Sequence, residues 1–344
     1  MVPRNYIEVR LGSLLPLSYT RLPDRFIGWL PSGVTAGVRL IRKYSVRAIY
    51  SSSGPVASSL IACVLNAVSG RPWIAEFRDL WSQNHLETRK PPIQSVEEAL
   101  ERLVIRRART IVTVSEPLAE VLRTLHRRRR VVVIPNGYDE NDYTERVSLT
   151  AAFTLTYTGN IYTGKRDPSP LFRAIARLDQ EGSISPVSFQ VRFYGSQLGN
   201  VSQLVHKYGV NRYVLIGGHL PYREGIRRQI ESSALLLLEW DHPSAKGVLT
   251  GKLFEYLGAK RPIIALAAKG GAIHKLLDET GAGVVSNDPD ELYNILRNWY
   301  LQWLRGDQTL GVQYKVDRLL AYERSRQAQA LAEELDLCLT GSPR

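Results

Sequence analysis

The chain has 344 residues, 44% hydrophobic and 23% charged, which excludes wholesale disorder. At roughly 100–200 residues per domain, that length implies two domains. Two cysteines, Cys63 and Cys338, offer neither a disulfide framework nor metal-ligand spacing. No apolar run reaches the ~18 residues of a membrane span, so the chain reads as soluble and cytoplasmic. The net charge of +12 is uneven: residues 1–130 carry 21 Lys/Arg against 10 Asp/Glu, and residues 131–344 carry 24 against 23. A basic half joined to a neutral half points to an anionic partner for the first.

Arg47–Ser52 reads as a strand, Ala57–Val68 as a helix, and Trp73–Phe77 as a buried strand followed by the polar turn RDLWSQN. Ser95–Arg107 reads as an amphipathic helix capped by Ser95, with Glu98 in the capping-box position. Thr110–Val114 and Val131–Ile134 are strands around a helix Pro117–His126 that Ser115 caps. The rhythm restarts after residues 138–152. Strands are expected at Phe153–Tyr157, Val187–Tyr194, Tyr213–Ile216, Leu235–Leu238, Pro262–Leu266 and Gly283–Val285. The intervening segments are helical, and two long helices, Asp290–Leu304 and Lys315–Leu337, close the chain. Short apolar strands alternating with helices imply parallel sheets covered on both faces, here in two doubly wound domains. Ligands of such sheets sit beyond the carboxyl ends of the strands.

Three of those ends carry chemistry. Thr158–Arg166 (TGNIYTGKR), which includes Gly159 and Asn160, follows a strand, and its backbone amides with Lys165 and Arg166 suit a diphosphate; the alternative is a solvated loop. Gly251 opens a helix whose free amides suit an anion, Lys252 adds charge, and Glu255 lies one turn on where a ribose could be held; the same spacing also fits an ordinary surface face. Arg78 and Asp79 follow a buried strand, with Asp79 a general base or else one half of a structural Arg–Asp pair. His219, after Gly217-Gly218, is a candidate neighbour of a nucleotide base. The histidines lack HxxxH spacing, so no metal site is expected, and no GxSxG, full Walker motif or strand-linked GxGxxG occurs. The run Arg127–Arg130 adds to the basic field and suits an anionic membrane; nucleic acid is not expected, because no aromatics are interleaved.

In order and spacing, SSSGP (51–55), WIAEFRDLW (73–81), VSEPL (114–118), VIPNGYD (133–139), TGNIYTGKR (158–166) and GKLFEYLGAKRPIIAL (251–266) resemble glycosyltransferase family 4. The resemblance covers about residues 25–335, and bacterial enzymes of surface polysaccharide, O-antigen or capsule synthesis look most alike. It implies the GT-B fold, two Rossmann-like domains facing a cleft. Residues 1–138 would form the acceptor side, 139–152 a linker, 153–314 the nucleotide-sugar side, and 315–344 a final helix crossing back. The donor would be a nucleotide diphosphate-sugar, more a UDP- than a GDP-sugar, and the acceptor lipid-linked or polysaccharide. Transfer would retain configuration without a metal or other cofactor. By resemblance Lys165, Arg166, Gly251 and Lys252 meet the diphosphate, Glu255 is the second glutamate of an E-x7-E pattern and holds the ribose, and Arg78 and Asp79 stand near the acceptor.

Three departures accompany the match. Gly247 stands where the first glutamate of that pattern would contact the donor sugar, and Asn160 stands where many members have arginine. Asn5–Leu11 resembles the family's third strand, so the first domain is expected to lack its initial β-α-β elements. A nucleotide-sugar 2-epimerase on the same fold, or a non-catalytic binding partner, are the alternative readings.

Overall fold

A computed structural model describes residues 23–84 and 91–340; the strand expected at Asn5–Leu11 lies outside them. The chain divides into two compact units, one of residues 1–135 with 328–344 and one of residues 136–327.

The first unit runs α1 (Leu30–Tyr44), β1 (Ile49–Ser53), α2 (Ala57–Ser69), β2 (Trp73–Phe77), α3 (Ile93–Ile105), β3 (Thr110–Thr113), α4 (Glu116–Leu125) and β4 (Arg130–Val133). The four strands among its described residues are parallel, in the order β1-β2-β3-β4. Successive strand residues point to opposite faces, so Trp73, Ala75 and Phe77 pack with α2 and α3 while Ile74 and Val112 pack with Ala330, Leu331 and Leu335. Those last residues belong to α12 (Arg324–Thr340), which also places buried Glu334 against Arg130 at 2.7 Å.

α1 is amphipathic, and two glycines lie on the face that packs. Those glycines are what it packs with: a Cβ at Gly33 would meet Ile61, and one at Gly37 would meet Leu65. α3 starts at Ile93 with Pro92 as its N-cap, so Ser95 lies inside the helix and does not cap it. Consecutive prolines pin φ near the helical value and start the helix earlier. Glu98 instead accepts from Gln83 at 2.7 Å.

The second unit has β5 (Phe153–Thr158), α5 (Ser169–Gln180), β6 (Phe189–Tyr194), α6 (Val201–Lys207), β7 (Val214–Gly218), α7 (Tyr222–Ile230), β8 (Ala234–Leu238), α8 (Gly251–Ala259), β9 (Ile263–Leu266), α9 (Ala272–Thr280), β10 (Gly283–Val285), α10 (Pro289–Leu304) and α11 (Val316–Leu320). Its sheet is parallel, in the order β10-β9-β8-β5-β6-β7. Phe153, Leu155 and Tyr157 fill the core on one face. The intervening threonines face α7 and the turn after it, where Thr156 and Ser232 hydroxyls meet at 2.6 Å. Between β5 and β8 the winding direction reverses.

The single helix expected over Lys315–Leu337 is two helices, α11 and α12. The Tyr138 amide donates to the Tyr322 carbonyl at 3.0 Å, and Arg324 donates to the Tyr138 carbonyl at 2.9 Å. Backbone groups engaged across the chain there leave the helical ladder interrupted.

Buried Glu101 ties the first unit's turns together. One carboxylate oxygen accepts from the Ser82 amide (3.0 Å) and hydroxyl (2.6 Å), and the other meets His126 Nε2 at 3.1 Å. Glu101→Ala strands both partners and is expected to destabilise the fold by about 3 kcal/mol, read as a lowered urea midpoint.

Candidate anion site at the β5/β8 crevice

The reversal of strand order in a parallel sheet splays the connections on either side of it and opens a crevice at the carboxyl ends. In the second unit that point is flanked by residues 159–166 after β5 and residues 239–250 after β8. The sequence places its cations and its helix N-terminus in those same connections.

Gly159 turns the chain out of β5 at φ +123°, a conformation L side chains rarely adopt. Its amide donates to the Tyr194 carbonyl at 2.7 Å. A Cβ there would strike the Lys252 side chain at 2.6 Å, so the missing side chain is what admits the lysine.

Lys252, in the first turn of α8, donates from Nζ to the Tyr157 hydroxyl at 2.8 Å and lies 4.0 Å from that ring's centroid. The Tyr157 hydroxyl donates onward to the Asn160 carbonyl at 2.7 Å. Burial, with nearby Arg166 assisting, lowers Lys252 to about 7; Glu239 and Glu255 pull the other way. Burial also pushes the Tyr157 hydroxyl upward, so Tyr157 stays neutral.

Arg166 is engaged. Its guanidinium bonds Glu239 Oε2 and the Asn160 carbonyl, each at 2.9 Å, while its Nε is buried with no partner among the described residues. Asn160 is a hub: its side-chain oxygen accepts from the Ser196 hydroxyl (3.0 Å) and the Gln197 amide (3.1 Å). Lys165 is freer, with Nζ 5.0 Å from the Trp240 ring centroid, and Trp240 stacks on His242 at 4.3 Å. Glu239 and this ring pair escaped sequence reading. The available signal was a carboxylate and an indole set directly after the apolar run ALLLL.

Gly251 is exposed at the first position of α8. The preceding Thr250 makes no side-chain cap, and its hydroxyl is buried without a partner among the described residues, so the helix's first amides remain available to an anion. Glu255, one turn on, accepts from Gln229 at 3.2 Å, and burial raises its pKa. Gln229 also donates to Thr158 at 2.9 Å, which ties α7 to the end of β5. Gly247 is buried in the connection after β8. Gly218 and exposed His219 end β7, two strands from β5, away from the reversal point.

Arg78 and Asp79 belong to the first unit and are exposed after β2. Arg78 reaches Glu76 at 3.5 Å, so the carboxylate it meets is Glu76. Glu76 is buried on β2, where the Ser52 hydroxyl of neighbouring β1 donates to it.

Residues 7–142 match the sequence model of Glycosyltransferase Family 4. That match spans less than half of the chain. No curated protein matches the chain. Among solved structures, a glycosyltransferase from Rickettsia africae aligns with TM-score 0.67 and 13% identity, over 90% of this chain and 82% of that one. Anabaena HepE in complex with UDP-glucose aligns with TM-score 0.64 and 13% identity, over 91% and 84%. The sucrose-phosphate synthase of Thermosynechococcus elongatus gives TM-score 0.62 and 15% identity, over 96% and 82%. With two parallel sheets, of four and six strands among the described residues, the chain has the GT-B fold. The family match covers residues 7–142, most of the first unit, and the second unit's likeness is one of fold.

Lys252 carries a testable burial cost. Between pH ~7 and its ordinary ~10.4 the unfolded chain holds a proton that the folded chain has lost, so this group makes stability rise with pH across that window. Lys252→Met is expected to be more stable than wild type by about 2 kcal/mol at pH 6 and to lose that slope in urea titrations.

Proposed function

We propose that the chain is a glycosyltransferase that moves a sugar from a UDP-sugar to a lipid-linked or polysaccharide acceptor in bacterial surface-glycan synthesis. The match of residues 7–142 to the family 4 model supports the reaction class. A protein of the same fold, Anabaena HepE, has been solved with UDP-glucose, which supports the donor class. The observation that carries the reading is the open amino end of α8 beside buried Lys252 at the β5/β8 crevice.

In this reading Gly251, the first amides of α8, Lys252 and Lys165 take the diphosphate. Arg166 holds the loop through Glu239 and adds to the positive field. Glu255 accepts from the ribose hydroxyls. The departing diphosphate gains negative charge as the glycosidic bond breaks, and preorganised amides and ammonium groups lower the barrier most at that point. A diphosphate beside Lys252 favours its charged form, so binding takes up a proton. Asp79 receives the acceptor hydroxyl's proton, and Arg78, anchored on Glu76, orients the acceptor. Transfer with retention, independent of a metal, belongs to the same proposal, as does seating of the basic first unit on an anionic membrane. Buried Gly247, in place of a donor-contacting glutamate, favours a second reading in which the chain binds nucleotide but turns nothing over.

Titration calorimetry with UDP tests the site. Lys165→Ala, Lys252→Ala and Glu255→Ala are each expected to weaken binding about tenfold. Wild-type affinity should fall as pH rises above about 7, with proton uptake seen as a buffer-dependent heat. Unchanged affinity in all three variants overturns the assignment. UDP binding without donor hydrolysis or transfer selects the non-catalytic reading. Asp79→Asn should lower kcat by at least about a hundredfold while leaving UDP affinity intact.

A further inference from the structure

In the first unit's parallel sheet every helix-to-strand connection lies at the amino end of the strands, opposite the connections that carry Arg78 and Asp79. The cations are sorted accordingly. Arg47 precedes β1, Arg71 precedes β2, and Arg106, Arg107 and Arg109 precede β3. The 127–129 run precedes β4. Two cavities open there. One of about 730 Å³ is lined by Arg102, Arg106, Arg107, His126 and the 127–129 run, and one of about 480 Å³ by Arg47, Arg71, Arg107 and Arg109. Arg107 is common to both, so they adjoin.

Among the described residues that line them there is no carboxylate. Arg102 pairs with Glu98, whereas Arg106, Arg107, Arg127 and Arg128 make no ion pair among the described residues. Arg129 is oriented by its bond to the Ala108 carbonyl at 3.2 Å, and the turn is fixed from beneath by His126 on Glu101. Like charges crowd an exposed edge that internal carboxylates do not neutralise, so an external anion is what offsets their repulsion.

We propose that this amino-end face docks on anionic phospholipid headgroups, the guanidinium forks taking phosphate oxygens in pairs. The inference deepens the membrane contact proposed above and does not depend on the donor assignment. Two observations favour a bilayer over nucleic acid. Val68, shortly before Arg71, and Leu103, between Arg102 and Arg106, are exposed and suit the headgroup boundary. The aromatic Trp73 lining the smaller cavity is fully buried and offers bases no stacking face. Docked this way, the unit turns its chemical end away from the bilayer by the length of its strands, about 15 Å at 3.3 Å per residue. That geometry suits a glycan acceptor that projects from the membrane.

Vesicle co-sedimentation of the full chain tests this, using phosphatidylcholine with and without phosphatidylglycerol. Wild type is expected to pellet only with the anionic vesicles, less at high salt. Arg106→Gln/Arg107→Gln/Arg127→Gln/Arg128→Gln should lose affinity about a hundredfold or more, at roughly 1 kcal/mol per cation. A control of equal charge change on the second unit, Lys207→Gln/Arg223→Gln/Lys275→Gln/Arg305→Gln, should bind as wild type. An unchanged melting curve and UDP titration show that the arginine variant is folded. Equal loss in both variants, or none in either, overturns the proposal. Competition by micromolar inorganic triphosphate reassigns the face to a soluble anion, and tighter retention of single-stranded RNA than of vesicles reassigns it to nucleic acid. Failure of wild type to bind UDP, with vesicle binding intact, sinks the donor reading and leaves this one standing.

Discussion

Parallel pairing of strands buried on both faces is the constraint on which the molecule depends. Each strand must leave at the same end and return through a helix, so all βα connections gather on one edge and all αβ connections on the other. In the second unit, reversal of the order between β5 and β8 brings the Gly159–Arg166 loop and the start of α8 to one crevice. In the first unit, the same segregation divides the acidic-basic pair Glu76–Arg78 from the arginine-lined edge.

The crevice holds one paired charge, Arg166, and one buried ammonium, Lys252, whose hydrogen-bond partner is a neutral hydroxyl. Arg166 is clasped by Glu239 and the Asn160 carbonyl, and Lys252 leans on a tyrosine hydroxyl that is itself bonded to the same carbonyl. Removing water strengthens these bonds and also makes an uncompensated ammonium costly. The result is a positive site that is preformed and, at Lys252, only partly protonated near neutrality.

How far the elements could be read depends on what formed them. Trp73–Phe77 and Gly283–Val285 match the observed strands in full, since a short apolar run between turn residues has few other places to go. In α1, Gly33 and Gly37 are weak helix formers that a close crossing with Ile61 and Leu65 selects. α3 starts ahead of Ser95, because the local cap signal there yields to the prolines before it. The C-terminal stretch reads as one helix until Tyr138 claims its backbone at Tyr322 and Arg324. Among the site residues, Lys165, Gly251 and Lys252 were legible as cations and a glycine on loops after strands. The tether between Arg166 and Glu239 was not, because the two are far apart in sequence and meet only across the reversal point.

By itself the sequence determined the alternation of strand and helix, the parallel class of both sheets and the lopsided charge. Those properties follow from periodicity and composition, which are local. Only the tertiary structure decided which cation is free and which is committed, that Lys252 is buried and Arg166 clasped, and that scattered arginines from four separate connections share one edge. Burial and pairing are set by neighbours distant along the chain, and no local pattern encodes them.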